Sequence, residues 1–249
     1  MKVMVTALAL TLTLASASTA KAADFTINTL PGTTYSTTGI TDFSTQSSQM
    51  NGMQITAYWT VNGNQFSLTE IWDSGVKFNG NAFALAVSGD TFGTDAWGLS
   101  FNGSGSALLQ KLVFNGVPGN TVFDRTSPNT GTAGSDQGKD LDGFEQYCDV
   151  LIQSTCWDEG DIRATYFNQV VLDGKPFAGD LYAGLEIEFL SGGGLGKSKD
   201  WTFSLDTDIA NTQLKSADVT AVPEPAALSL LGIGLLGVAR ATRRRAARS

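Results

Sequence analysis

The sequence predicts an all-β chain, an antiparallel β-sandwich of jelly-roll or lectin-like type. Three observations carry that expectation. Apolar and polar residues alternate with period two in segment after segment. Asn-Gly and Asp-Gly pairs stand between those segments, where tight turns need residues that tolerate positive φ. No helical period is sustained over the length of an ordinary helix.

The clearest strand is MQITAYWT, which sets Met53, Ile55, Ala57 and Trp59 on one face and Gln54, Thr56, Tyr58 and Thr60 on the other. Asn62-Gly63 turns the chain into FSLTEIW, with Phe66, Leu68 and Trp72 as its apolar set. AFALAV alternates through Phe83, Leu85 and Val87, and WGLSF through Trp97, Leu99 and Phe101. The longer apolar run ALLQKLVF, Ala107 to Phe114, fits a buried strand or one or two turns of helix, and Val113, Phe114 and the turn residues around it favour the strand. ATYFNQVVL ends at Asp173-Gly174. DLYAGLEIEFL places Leu181, Ala183, Leu185, Ile187 and Phe189 on one face, and WTFSL closes the body with Trp201, Phe203 and Leu205. Two stretches depart from this grammar. Thr33 to Ser48 is rich in Ser and Thr and reads as an extended, loosely held lead-in. Leu141, Phe144, Cys148, Leu151 and Ile152 recur at helical spacing behind Asp140, a suitable N-cap, and predict a short helix or compact loop.

Both ends lie outside the predicted body. Met1-Lys2, the apolar run Val3 to Leu14 and Ala20-Lys21-Ala22 fit a secretory signal peptide over residues 1–22, cleaved between Ala22 and Ala23. At the other end, Ala226 to Ala239 is uncharged and glycine-bearing. As a helix it covers roughly 21 Å against a hydrocarbon core of about 30 Å, a marginal span suited to temporary anchorage. Arg240, Arg243, Arg244, Arg245 and Arg248 follow, and the positive-inside rule keeps them cytoplasmic. Residues 23–221 remain as one domain with a sizeable core.

The chain carries 16 basic and 24 acidic residues, a net charge of −8. The terminal segments hold seven of the basic residues and one of the acidic, which leaves the body nine against 23 and a net charge of −14. Such a surface repels nucleic acid and attracts cations. There is no histidine, so Ser-His-Asp and Cys-His catalysis and nearly all zinc sites are excluded. Cys148 and Cys156 are the only cysteines. As an even pair in an exported chain they predict a structural disulfide, pinning the segment around them.

Val222-Pro223-Glu224-Pro225, a short apolar run and a terminal arginine cluster, in that order, resemble the PEP-CTERM sorting signal of Gram-negative bacteria. The resemblance implies recognition by exosortase, a membrane protease-transpeptidase, with transient residence in the inner membrane and processing near the triplet. It also implies export to the cell surface or the extracellular polysaccharide matrix. Pro223, Glu224, Pro225, Arg243, Arg244 and Arg245 are then read by another enzyme. Within the body, VFDR, GSDQGKD, Gly179-Asp180-Leu181-Tyr182 and the Phe203 to Asp208 ending resemble a set of PEP-CTERM ectodomains. That likeness implies a β-sandwich and the same export route, and no named activity.

Three groups of residues merit weighing as sites. Glu186 and Glu188, two apart on a strand, share a face as paired carboxylates of a glycosidase would. Yet LEIEFL does not complete the E-x-D-x-x-E pattern of laminarinase-type hydrolases, so the simpler reading is the wet face of an amphipathic strand. No catalytic residue is assigned, and a carbohydrate-active enzyme is the remote alternative. Asp136, Asp140, Asp142 and Glu145, with Asp206 and Asp208, offer the hard oxygens that calcium prefers, without EF-hand spacing. A solvated acidic loop is the plain alternative, and no other cofactor is implied. Tyr58 and Tyr182 fall opposite the predicted core and are the candidates for stacking on a sugar, against an ordinary role as core or surface aromatics. The expectation is a non-enzymatic exported envelope or matrix protein, with a lectin-like polysaccharide binder as the alternative.

Overall fold

The computed structural model describes residues 25–41, 44–78, 83–101, 106–125, 138–146, 162–173, 180–190, 194–195 and 201–217. Its strands are β1 (Phe25–Thr29), β2 (Tyr35–Thr37), β3 (Ile40–Thr41), β4 (Gln54–Val61), β5 (Asn64–Ile71), β6 (Val76–Phe78), β7 (Phe83–Val87) and β8 (Trp97–Phe101). They continue as β9 (Ala107–Asn115), β10 (Thr121–Asp124), β11 (Asp142–Gln146), β12 (Ile162–Leu172), β13 (Leu181–Phe189), β14 (Trp201–Ser204), β15 (Thr207–Ala210) and β16 (Lys215–Ser216). The described residues contain no α-helix, only single 3-10 turns at Ser47–Met50 and Val117–Gly119.

These strands form two sheets, one of 11 strands and one of five in the order β11-β14-β8-β7-β6. β12 and β13 run antiparallel through the middle of the large sheet. The free edge of β13 takes β9 along Gly184 to Glu188 and β10 at Leu181 and Tyr182, so the sheet forks. β4 and β5 extend one prong; β15 and β3 extend the other. On the far side β12 takes β1 and then β2, both parallel, and β16 pairs with β2. The pairing is thus antiparallel except for those two strands.

Inter-sheet aromatics fill the space between the layers. Trp97 of β8 stacks on its cross-strand neighbour Phe203 of β14 at 5.7 Å and, across the layers, meets Phe114 of β9 edge-on at 6.1 Å. Trp59 of β4 reaches Phe83 of β7 at 5.8 Å. The alternation read in MQITAYWT holds: Met53, Ile55, Ala57 and Trp59 are all buried. Burial of such large side chains is the main favourable term in folding. A smaller cluster joins Ile40, Val122, Val170, Leu172, Leu181, Ala183, Ala210 and Leu214.

Four expectations need correction. Leu181 and Ala183 do not share a core with Leu185, Ile187 and Phe189; they belong to the smaller cluster. β12 changes face in step, with Ile162, Ala164 and Tyr166 in the main core and Val170 and Leu172 in the smaller one. Asn168, at φ 59, stands at that reversal in β12. Gly184 stands at the one in β13, where the Phe167 ring leaves no room for a Cβ. Second, Phe66 and Leu68 are 48% and 38% exposed, because β5 lies at the sheet edge rather than under the second layer. Third, Asp142–Gln146 is a strand on β14, not a helix; cross-strand hydrogen bonds overrode a spacing set by few residues. The rest of that segment, with Cys148 and Cys156, lies outside the described residues. Fourth, the Ser/Thr-rich lead-in is built into the sheet through β2 and β3, and buried Thr37 bonds to Thr212.

Candidate functional site

Strand pairing assembles a buried group of acids. Val122 of β10 sits opposite Asp208 of β15, and one step further the amide of Asp124 donates to the carbonyl of Asp206 at 3.3 Å. Asp206 and Asp208 are two apart, so both lie on the face that Asp124 occupies on the neighbouring strand. Carboxylate oxygens of Asp124, Asp206 and Asp208 all lie within 4.8 Å of one another. The three residues are 1%, 3% and 1% exposed.

The segment before β11 closes over them. Lys139 donates its amide to the Asp124 carbonyl and accepts at its own carbonyl from Asp206. Gly138 is required there, since a Cβ would stand 2.6 Å from Asp124 Oδ1 and 2.3 Å from the Arg125 carbonyl oxygen. Lys139 anchors its ammonium on the Phe92 carbonyl at 3.0 Å. The Thr91 hydroxyl donates to the Thr207 carbonyl at 3.1 Å. Burial, reinforced by the charge of Asp90, pushes the Asp206 carboxyl up to about 7. The Thr207 amide, Lys139 and Thr91 pull the other way. Three carboxylates this close and this dry need protons or a cation for neutrality. Hard oxygens are what calcium takes, and Asp124, Asp206 and Asp208 are the residues that would hold it.

The calcium candidates read from sequence therefore divide. Asp206 and Asp208 come together. Asp140 does not join them; Arg125 holds it bidentately, at 2.5 and 3.2 Å. That guanidinium covers the ring of Tyr166, 5.0 Å from its centroid. Tyr166 accepts the Leu141 amide at its hydroxyl, and burial raises its pKa well above the phenol range. Asp142 is exposed on β11, accepting from the Gly143 amide next to it. Glu145 lies on the same strand, and Asp136 is outside the described residues. Asp124 was missed. Its signal was the D of VFDR, a carboxylate ending an apolar strand, far in sequence from its partners.

The outer face of the large sheet carries the other candidates. Glu186 pairs with Lys111 at 3.1 Å, and Glu188 with Arg163 at 2.5 Å. Each carboxylate thus has a cation from a neighbouring strand. Tyr58 is 37% exposed, and the Lys111 ammonium lies 4.9 Å above its ring. A one-residue bulge at Gln110, opposite Tyr58, pushes that side chain outward. Tyr58, Gln65, Phe66, Gln110, Lys111 and Glu188 line an open groove of about 420 Å³. Tyr182 is not part of any such surface. It is 5% exposed and packs on Tyr166 at 5.6 Å, because the face reversal at Gly184 turns it into the core.

The described body is all-β, and in the sequence a short apolar run and an arginine cluster follow it. The family comparison supplies the delivery system: the chain carries the PEP-CTERM protein-sorting motif at residues 221–245. It is therefore an exosortase-targeted exported protein, transiently anchored in a membrane and processed there. No curated protein and no solved structure matches the chain. Pro223, Glu224, Pro225, Arg243, Arg244 and Arg245 fall inside the motif. They lie outside the described residues, as do Ala22 and Ala23 of the predicted signal peptide. Among the described residues no helix is long and apolar enough to cross a membrane.

Proposed function

We propose that this is a non-enzymatic protein of the cell surface or extracellular polysaccharide matrix of a Gram-negative bacterium, released there as an intact β-sandwich. One observation carries the reading. The last strand, β16, ends at Ser216, and the sorting motif begins at residue 221. Cleavage near Pro223-Glu224-Pro225 severs the tail without removing any described strand. The predicted signal cleavage, after Ala22, likewise falls just before β1. The charge pairing of Glu186 and Glu188 supports a non-catalytic role for them. Mass spectrometry of the mature protein from its host tests the proposal. A mass bounded near Ala23 and the Pro-Glu-Pro triplet is expected, with surface location lost when residues 222–249 are deleted. Unchanged mass and location after that deletion would defeat it.

A second reading, a lectin-like polysaccharide binder, rests on the groove. There an exposed tyrosine, two glutamines and a lysine converge, as sugar-binding surfaces require.

A further inference from the structure

Among the described residues β5 ends the large sheet and hydrogen-bonds on one side only, to β4. It has eight residues, whereas the other terminal strands have two (β3, β16), three (β6) or five (β1, β11). Short edges protect a sheet from unwanted pairing, as do Lys, Pro and bulges along the edge. β5, NQFSLTEI, has no Lys or Pro, and it pairs with β4 in unbroken register. Its one charge is Glu70.

The turn at Asn62-Gly63, with φ of 50° and 81°, closes on Val61 and Asn64 as a hydrogen-bonded pair. Counting from there, Asn64, Phe66, Leu68 and Glu70 direct their amides and carbonyls to β4. Gln65, Ser67, Thr69 and Ile71 direct theirs outward. Phe66 and Leu68 share the face of Trp59 and Ala57 but stay 48% and 38% exposed, and Ile71 is 63% exposed.

We infer that β5 is a self-association edge: it pairs antiparallel with β5 of a second copy, about a two-fold axis at Ser67. In that register Ser67 exchanges both hydrogen bonds with its equivalent, and Gln65 bonds with Thr69 of the second copy. Phe66 lies against Leu68 of the second copy, an aromatic–aliphatic pair of the kind that stabilises sheets. Glu70 meets Asn64 of the second copy, so no like charges face each other. A two-fold axis one residue along, at Leu68, sets Phe66 against Glu70 instead. The occupant is a second copy because the strand is complementary to itself and because anchoring before processing gathers identical chains in one plane. One strand pair buries less than the ~1,200 Å² at which stable interfaces begin. The association is therefore weak in dilute solution and grows with local concentration. The acidic bodies repel, so salt strengthens it.

Sedimentation velocity of the processed protein over rising concentration and salt tests this. The weight-average mass is expected to climb toward twice the monomer. Ser67→Pro removes an outward amide and leaves the β4 ladder whole, so it is expected to stay monomeric with an unchanged melting temperature. If Ser67→Pro does not fold, Phe66→Lys is read in its place, with the same loss of dimer expected. Ser67→Cys is expected to cross-link to its equivalent under oxidation, since such pairs lie about 5.5 Å apart at Cα, within disulfide range. Gln65→Cys, facing Thr69 of the second copy, is not. A wild-type protein that stays monomeric in high salt at its solubility limit would overturn the inference. So would dimers that survive the substitution, or cross-links at Gln65→Cys alone.

Discussion

The amide of Asp124 donates to the carbonyl of Asp206, and this single hydrogen bond brings two carboxylates face to face in the interior. Folding thereby removes charge from water, which is costly unless a proton or a cation compensates. In the unfolded chain the Asp206 carboxyl loses its proton near 3.8; in the folded protein it holds it to about 7. Between those values the native state binds more protons than the unfolded state, so stability falls as pH rises. The loss runs from about pH 4 to 7 and levels off above, reaching about 4 kcal/mol for a shift of that size. Urea denaturation in chelator across this range should show the decline, and Asp206→Asn should flatten it. A stability that rises from pH 5 to 7 in wild type would contradict the assignment.

A bound cation would keep all three carboxylates ionised and cancel that cost. Calcium is expected to raise the melting temperature, more at pH 8 than at pH 5. At a hundredfold excess over Kd the gain is about 2.7 kcal/mol. Asp124→Asn keeps the shape but removes one charge, and should abolish most of the calcium response. Superimposable melting curves in calcium and in chelator would rule the site out.

Trp97 anchors the two sheets. It is fully buried, stacks on Phe203 within its own sheet, meets Phe114 of the other sheet edge-on and donates its Nε1–H to the Leu205 carbonyl at 2.8 Å. Trp97→Ala opens a cavity and strands that carbonyl, so a loss of about 3–5 kcal/mol is expected. A shift in the urea midpoint measures it, and a change under 1 kcal/mol would argue against this packing.

Tyr58 tests the polysaccharide reading. Its ring is exposed beneath the Lys111 ammonium and lies outside the core, so Tyr58→Ala should change stability by no more than about 0.5 kcal/mol. If the groove binds glycan, the same substitution should abolish binding on an array of bacterial polysaccharides. Retained binding would place the sugar elsewhere; absence of binding by wild type would leave the groove without that role.

By itself the sequence determined what is local. Period two in β4, β7 and β8 is written in neighbouring residues, as is the Asn62-Gly63 turn. The sorting motif is an ordered string and needs no fold to be read. The short strands β3 and β16 carry too few residues to show a period, and the helical spacing that begins at Leu141 and Phe144 runs through Asp142–Gln146, which is a strand. Only the tertiary structure decided the rest. Asp124 joined Asp206 and Asp208 because β10 and β15 pair, a relation that no window of the sequence contains. Tyr182 went inward because Asn168 and Gly184 mark where the paired central strands change face, and that reversal is a property of the pair. Phe66 and Leu68 have the pattern of core residues and remain in water, because a strand's pattern records which side faces a layer and not whether that layer reaches it.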